Sequence, residues 1–147
     1  MYGWIVFFHL LGAAVWTGGH LVLALSVLPR ALRMQSIEEI VRFEQAYERV
    51  GIPALLVQVA TGLWLAKRLV PEWSDWLALN HPFSKGISVK LLLLLLTIGL
   101  ALHARLRLLA RLTPERLPVL AVHIWIVTLL SVLFVLSGTA FRAGWWF

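Results

Sequence analysis

Four apolar runs of about 20 residues, roughly 4–28, 51–70, 86–109 and 118–141, occupy most of this chain. At 1.5 Å rise per residue, about 20 helical residues cross a hydrocarbon core about 30 Å thick. In lipid every main-chain N–H and C=O must be bonded internally, so such runs become helices. Composition agrees: 61% of the 147 residues are hydrophobic and 14% charged, against roughly 25% charged in soluble domains. That leaves no polar shell for a water-facing globule and excludes an ordinary soluble enzyme. The expected fold is all-α, an integral membrane four-helix bundle of up-down-up-down antiparallel topology, forming one domain over 1–147.

The first run lacks a basic leader and carries His9, His20, Trp4 and Trp16, so it reads as a retained span rather than a signal peptide. In the segment 29–50, Ser36 precedes Glu39 by three residues, a capping-box spacing. Ile37, Ile40, Val41, Phe43 and Tyr47 add a partly amphipathic pattern, which predicts a short interfacial helix over about 37–49 that runs into the second span. Thr113-Pro114 starts the fourth helix a turn before its apolar run. The loop 71–85 carries Trp73, Trp76, His81 and Pro82; with Trp4, Trp145 and Trp146 its tryptophans read as interfacial anchors.

Net charge is +6, which in a membrane chain sets orientation rather than nucleic-acid binding. Arg30, Arg33, Arg42, Arg49, Arg105, Arg107, Arg111 and Arg116 fall on one side, against Lys67, Lys85, Lys90, Arg68 and Arg142 on the other. The Arg-rich loops are therefore expected in the cytoplasm, with both termini outside.

Ionisable side chains inside hydrocarbon are costly and point to function by default. His9 and His20 lie eleven residues apart, which returns to within about 20° of the same helix face, some 16 Å further along the axis. Counted from span midpoints, His20, His103 and His123 share a layer toward the Arg-rich side, while His9, Lys90 and the loop residue His81 fall in the other half. Imidazoles on separate helices at one depth suit an axial pair on a haem iron, with His20–His103 the first choice and His123 the competitor. Gly12, Gly18, Gly19, Gly62 and Gly99 offer room for a porphyrin. An inner triad of imidazoles also suits copper or zinc, although the chain has no Cys and only Met1 and Met34 as thioethers.

Plainer readings stand beside these. A membrane histidine, or Gln58, often only bonds a neighbouring helix. Lys90 is close enough to its span end to snorkel. Gly18-Gly19 suits helix packing, and Trp16, on the His20 face, suits either core packing or a cofactor wall. Catalytic constellations are sparse: there is no phosphate loop, no HExxH and no membrane carboxylate pair. Ser131 and Ser137 lack a base and carboxylate for serine hydrolysis.

The stretch His9-Leu-Leu-Gly-Ala-Ala-Val-Trp16-Thr-Gly18-Gly19, followed by Leu28-Pro29-Arg30, resembles the first helix of the CopD-type copper-resistance membrane proteins. The stretch from Arg49 to Gly62, with Ala60-Thr61-Gly62, resembles their next helix. Val89-Lys90-Leu91-Leu92-Leu93, with His103 thirteen residues on, is similar to a helix of that family and of the related HemJ-type protoporphyrinogen oxidases. The CopD likeness implies copper movement across a bacterial inner membrane beside a periplasmic copper-binding partner. The HemJ likeness implies haem b, and protoporphyrinogen oxidation by a first-helix His and a Lys, here His9 and Lys90. The chain is shorter than typical CopD proteins, and His20 and His123 are not carried over from HemJ.

Taken together, the expectation is a haem b protein that passes electrons between a quinone or small oxidant and a redox partner, a haem-dependent oxidoreductase if catalytic. His9, His20, His103, His123 and Lys90 are its cofactor-binding candidates, the four histidines also its metal ligands. Copper handling at His9, His20 and His123, and an accessory role in a larger membrane complex, are the alternatives. A homodimer is compatible with so small a bundle.

Overall fold

The computed structural model describes residues 1–109 and 113–145. Arg111, counted above among the inner basic residues, and Trp146, read as an anchor, lie outside them. Four helices are long and apolar enough to cross a membrane: α1 (Tyr2–Met34), α2 (Ile37–Leu69), α3 (Pro82–Leu108) and α4 (Leu117–Arg142, entered through a 3₁₀ turn at Pro114–Arg116). No strand occurs among the described residues. The chain is an all-α membrane four-helix bundle.

The helices overrun their apolar stretches. α1 continues past Val22 through a π-helical turn at Leu23–Val27 and ends where Gln35 takes φ 51°, a left-handed stop. There the Ser36 N–H donates to the Ala31 carbonyl at 3.0 Å. Ser36 is the N-cap of α2, as the Ser36/Glu39 spacing predicts, but its side chain makes no cap bond; Glu39 pairs with Arg30 at 3.4 Å instead. Residues 37–49 run without a break into the second span, as the first turns of one 33-residue helix.

Packing is uneven around the bundle. α1 lies along α2 and also against α4, and α3 lies against α4, whereas α2 and α3 scarcely approach one another. α4 is the most buried of the four. The main apolar core sits at the Arg-rich end, where Leu23, Ala24, Leu28 and Ala31 of α1 meet Ile40, Leu108, Leu117, Leu120 and Ile124. Close approach of α1 to α2 depends on Gly12, where a Cβ would stand 2.9 Å from the Ala54 carbonyl oxygen. At the opposite end Val70, Trp76 and Ile87 form a smaller cluster. Trp76 is thus buried, its indole N–H donating to the Val70 carbonyl at 2.9 Å. It folds the loop onto the bundle rather than anchoring it in the interface, while Trp4, Trp73 and Trp145 are exposed as anchors require.

Candidate functional site

Because α2 and α3 stand apart, the floor made by α1 and α4 is left uncovered between them. A cavity of about 300 Å³ opens there, lined by all four helices. His20, Trp16 and Tyr47 wall one side, His123 and Thr97 another, and Glu44, Glu48 and Arg105 its Arg-rich end. The exposed apolar rim includes Ile52, Ile98 and Leu102.

The layer read from the sequence is present. The His103 and His123 rings stand 5.5 Å apart, and Thr128 on α4 donates to the His20 carbonyl at 3.3 Å. Only His20 and His123 line the cavity, however; His103 is exposed and lies outside it. Among the described residues no three His, Cys, Asp or Glu side chains group as metal ligands, so His20, His103 and His123 do not form a three-ligand set as arranged here.

The hydrogen bonds fix which nitrogen each ring offers. A carbonyl only accepts, so a ring nitrogen bonded to one carries the proton and the other keeps its lone pair. His20 Nδ1–H donates to the Trp16 carbonyl at 2.9 Å, leaving Nε2 with its lone pair. His123 Nε2–H donates to the Leu100 carbonyl at 2.9 Å, leaving Nδ1. The Leu100 carbonyl also accepts the main-chain N–H of Ala104; turning the His123 ring to present Nε2 therefore strands no buried acceptor. Several of the other donors around the cavity are engaged, though the Trp16 indole N–H has no hydrogen-bond partner among the described residues. Tyr47 donates to the Val15 and Trp16 carbonyls, Thr97 to Leu93, and Arg105 to Glu48. The cavity thus offers an occupant lone pairs from two imidazoles and from the Glu44 and Glu48 carboxyl groups, beside the indole N–H of Trp16.

The outer half holds a second group. His9 Nδ1 lies 3.1 Å from the Gln58 carbonyl and 3.0 Å from Thr61 Oγ1. Thr61 gives its own proton to Val57, so His9 Nδ1–H is the donor and Nε2 keeps the lone pair. Gly62 makes room for this ring: a Cβ there would stand 3.1 Å from His9 Cε1. Lys90, half-buried, stands with its Nζ 5.1 Å from the Phe141 ring centroid. Among the described residues the buried Gln58 side-chain oxygen has no hydrogen-bond partner, whereas the Gln58 main chain bonds His9 on the neighbouring helix. His81, grouped with His9 on depth, sits at the α3 N-cap, 3.3 Å from Ser84 Oγ.

Several residues of the inner cavity carry no sequence signature. Tyr47 read only as one apolar position of an amphipathic helix and Arg105 only as one of the basic residues of the Arg-rich side, and nothing in the pattern singles out Glu44 or Glu48. Two glycines hold the clue to Tyr47: a Cβ at Gly19 would stand 2.1 Å from its ring, and one at Gly51 2.7 Å. Gly19 thus seats an aromatic ring, whereas Gly18 and Gly99 have nothing within 4 Å. Ser131 and Ser137 donate to the Thr128 and Phe134 carbonyls, consistent with structural roles. No family model, curated protein or solved structure matches the chain.

Proposed function

We propose that this chain is a haem b-binding membrane protein that carries electrons, with His20 and His123, in the cavity between α2 and α3, as the residues that would hold the cofactor. The observation that carries this reading is the lone-pair lining of the cavity. Two imidazoles from different helices, each with one ring nitrogen held by a backbone carbonyl and the other keeping its lone pair, line one largely apolar space, so an electron-pair acceptor with an apolar body fits there. A ring nitrogen held by a backbone carbonyl while its partner ligates is the usual outer-shell arrangement of metal-bound histidine. The cavity is at the lower limit of ligand sites, but widening it parts α2 from α3, where little packing is lost. Arg105, at the Arg-rich end, is placed to receive a carboxylate of the occupant in exchange for Glu48.

Bound there, haem supplies a one-electron couple within the bilayer. The protein's part is to hold the iron ligands, to exclude water with Trp16 and Tyr47, and to leave an apolar rim through which a quinone or small oxidant approaches. His9 and Lys90 form a separate outer contact site for an anionic group. The likeness to CopD-type and HemJ-type proteins supports a bacterial inner-membrane location, and the arginine bias supports cytoplasmic ends for α1 and α3. The same two lone pairs also fit a bare cuprous ion, which is the second reading.

The test is an absorption spectrum of detergent-purified protein from haem-replete cells, oxidised and dithionite-reduced, with iron and copper analysis. A Soret band and a sharp reduced α band, with stoichiometric iron, are expected. Copper without iron moves the assignment to copper handling; a colourless, metal-free protein ends both.

A further inference from the structure

Tyr47 makes an arrangement that helix packing alone does not require. Its ring is held between the bare Cα atoms of Gly19 on α1 and Gly51 on α2, stacked on Phe43 at 5.6 Å and edge-on to His20 at 6.0 Å. This directs its hydroxyl to the α1 backbone, 3.1 Å from both the Val15 and Trp16 carbonyl oxygens. The Trp16 oxygen is the one that already accepts His20 Nδ1–H at 2.9 Å. It also lies four residues before His20, where the helix ladder places the His20 main-chain N–H. Three donors therefore compete for one carbonyl with two lone pairs.

We infer that Tyr47 is a positioning residue for His20: by sharing the Trp16 carbonyl it weakens the Nδ1–H bond and so sets how strongly Nε2 donates to whatever it ligates. This rests on the proposed ligation by His20. An imidazole whose N–H is held more tightly is a more basic ligand and favours the oxidised metal ion. Tyr47 lowers that basicity and raises the reduced fraction of the bound couple. The Tyr47 ring borders the cavity, but its hydroxyl acts through the Trp16 carbonyl rather than on the occupant.

The experiment uses full-length protein labelled with ¹⁵N-histidine in lipid nanodiscs, before and after loading with haem b. In Tyr47→Phe the His20 Nδ1 resonance is expected to move downfield, as its N–H gains an undivided acceptor. In the loaded protein the reduced-to-oxidised ratio at a fixed poise falls about threefold, or about 28 mV at 59 mV per tenfold. Tyr2 is the only other tyrosine, about 27 Å from His20 along the helix. Uniform 3-fluorotyrosine labelling therefore strengthens the Tyr47 donor, and where helix content and thermal unfolding match the unlabelled protein both readouts should move the opposite way. An Nδ1 resonance unmoved by either change overturns the inference. A moved resonance in a protein that takes up no haem retains Tyr47 as the group that sets His20 and discards the haem reading.

Discussion

The rings of His103 and His123 stand 5.5 Å apart, yet only His123 borders the cavity between α2 and α3. Depth in the sequence made His103 the first choice of partner for His20 and His123 its competitor; the lining of the cavity favours His123. His20→Ala and His123→Ala should each lower haem retention at least tenfold, while His103→Ala keeps it. Pyridine haemochrome per polypeptide measures this. Equal loss in all three variants would restore His103 as a ligand.

Adjacent glycines should respond in opposite directions. At Gly19 a methyl group collides with the Tyr47 ring, 2.1 Å away, whereas at Gly18 nothing lies within 4 Å. Gly19→Ala should cost about 1–3 kcal/mol through overpacking. Gly18→Ala should gain up to ~1 kcal/mol from helix propensity. Thermal unfolding in one detergent, compared side by side, reads the contrast.

The outer group acts at another level of the bundle. His9 is about 16 Å along α1 from His20, and Lys90 leans on Phe141 rather than on the inner cavity. Lys90→Met should therefore leave the Soret amplitude of the inner site unchanged while weakening binding of an anionic substrate or second cofactor. A bleached Lys90→Met protein would place the lysine at the principal site.

A chain without cysteine is a ready background for topology mapping. Gln35→Cys and Thr113→Cys, at the turns on the Arg-rich side, should react with a membrane-impermeant thiol reagent only after cells are opened. Leu79→Cys, in the opposite loop, should react in intact cells. The reverse pattern inverts the assigned orientation.

The spans were legible because lipid admits one backbone solution for a 20-residue apolar run. The histidine layer was legible because helical rise is fixed, so His20, His103 and His123 could be placed in depth by counting. Rotation about the bundle was not: a helix exposes apolar residues to lipid as readily as to its neighbours, and Leu102 or Ile98 carries no mark of which way it faces. The π turn at Leu23–Val27 was equally hidden, since Leu23 and Ala24 are held by a core that forms only when α4 arrives. Ser36 shows the converse case. Its cap position followed from local spacing, but Glu39 was drawn off by Arg30 on another helix. Tyr47 was missed because the signal is divided between Gly19 and Gly51, distant in sequence and joined only by the ring they admit.

If the proposed function holds, the separation of α2 from α3 also sets how a redox partner would arrive. With Ile52, Ile98 and Leu102 exposed at its edge, the chamber opens sideways to the leaflet, so oil–water partitioning and membrane fluidity, more than bulk aqueous concentration, would govern access to it.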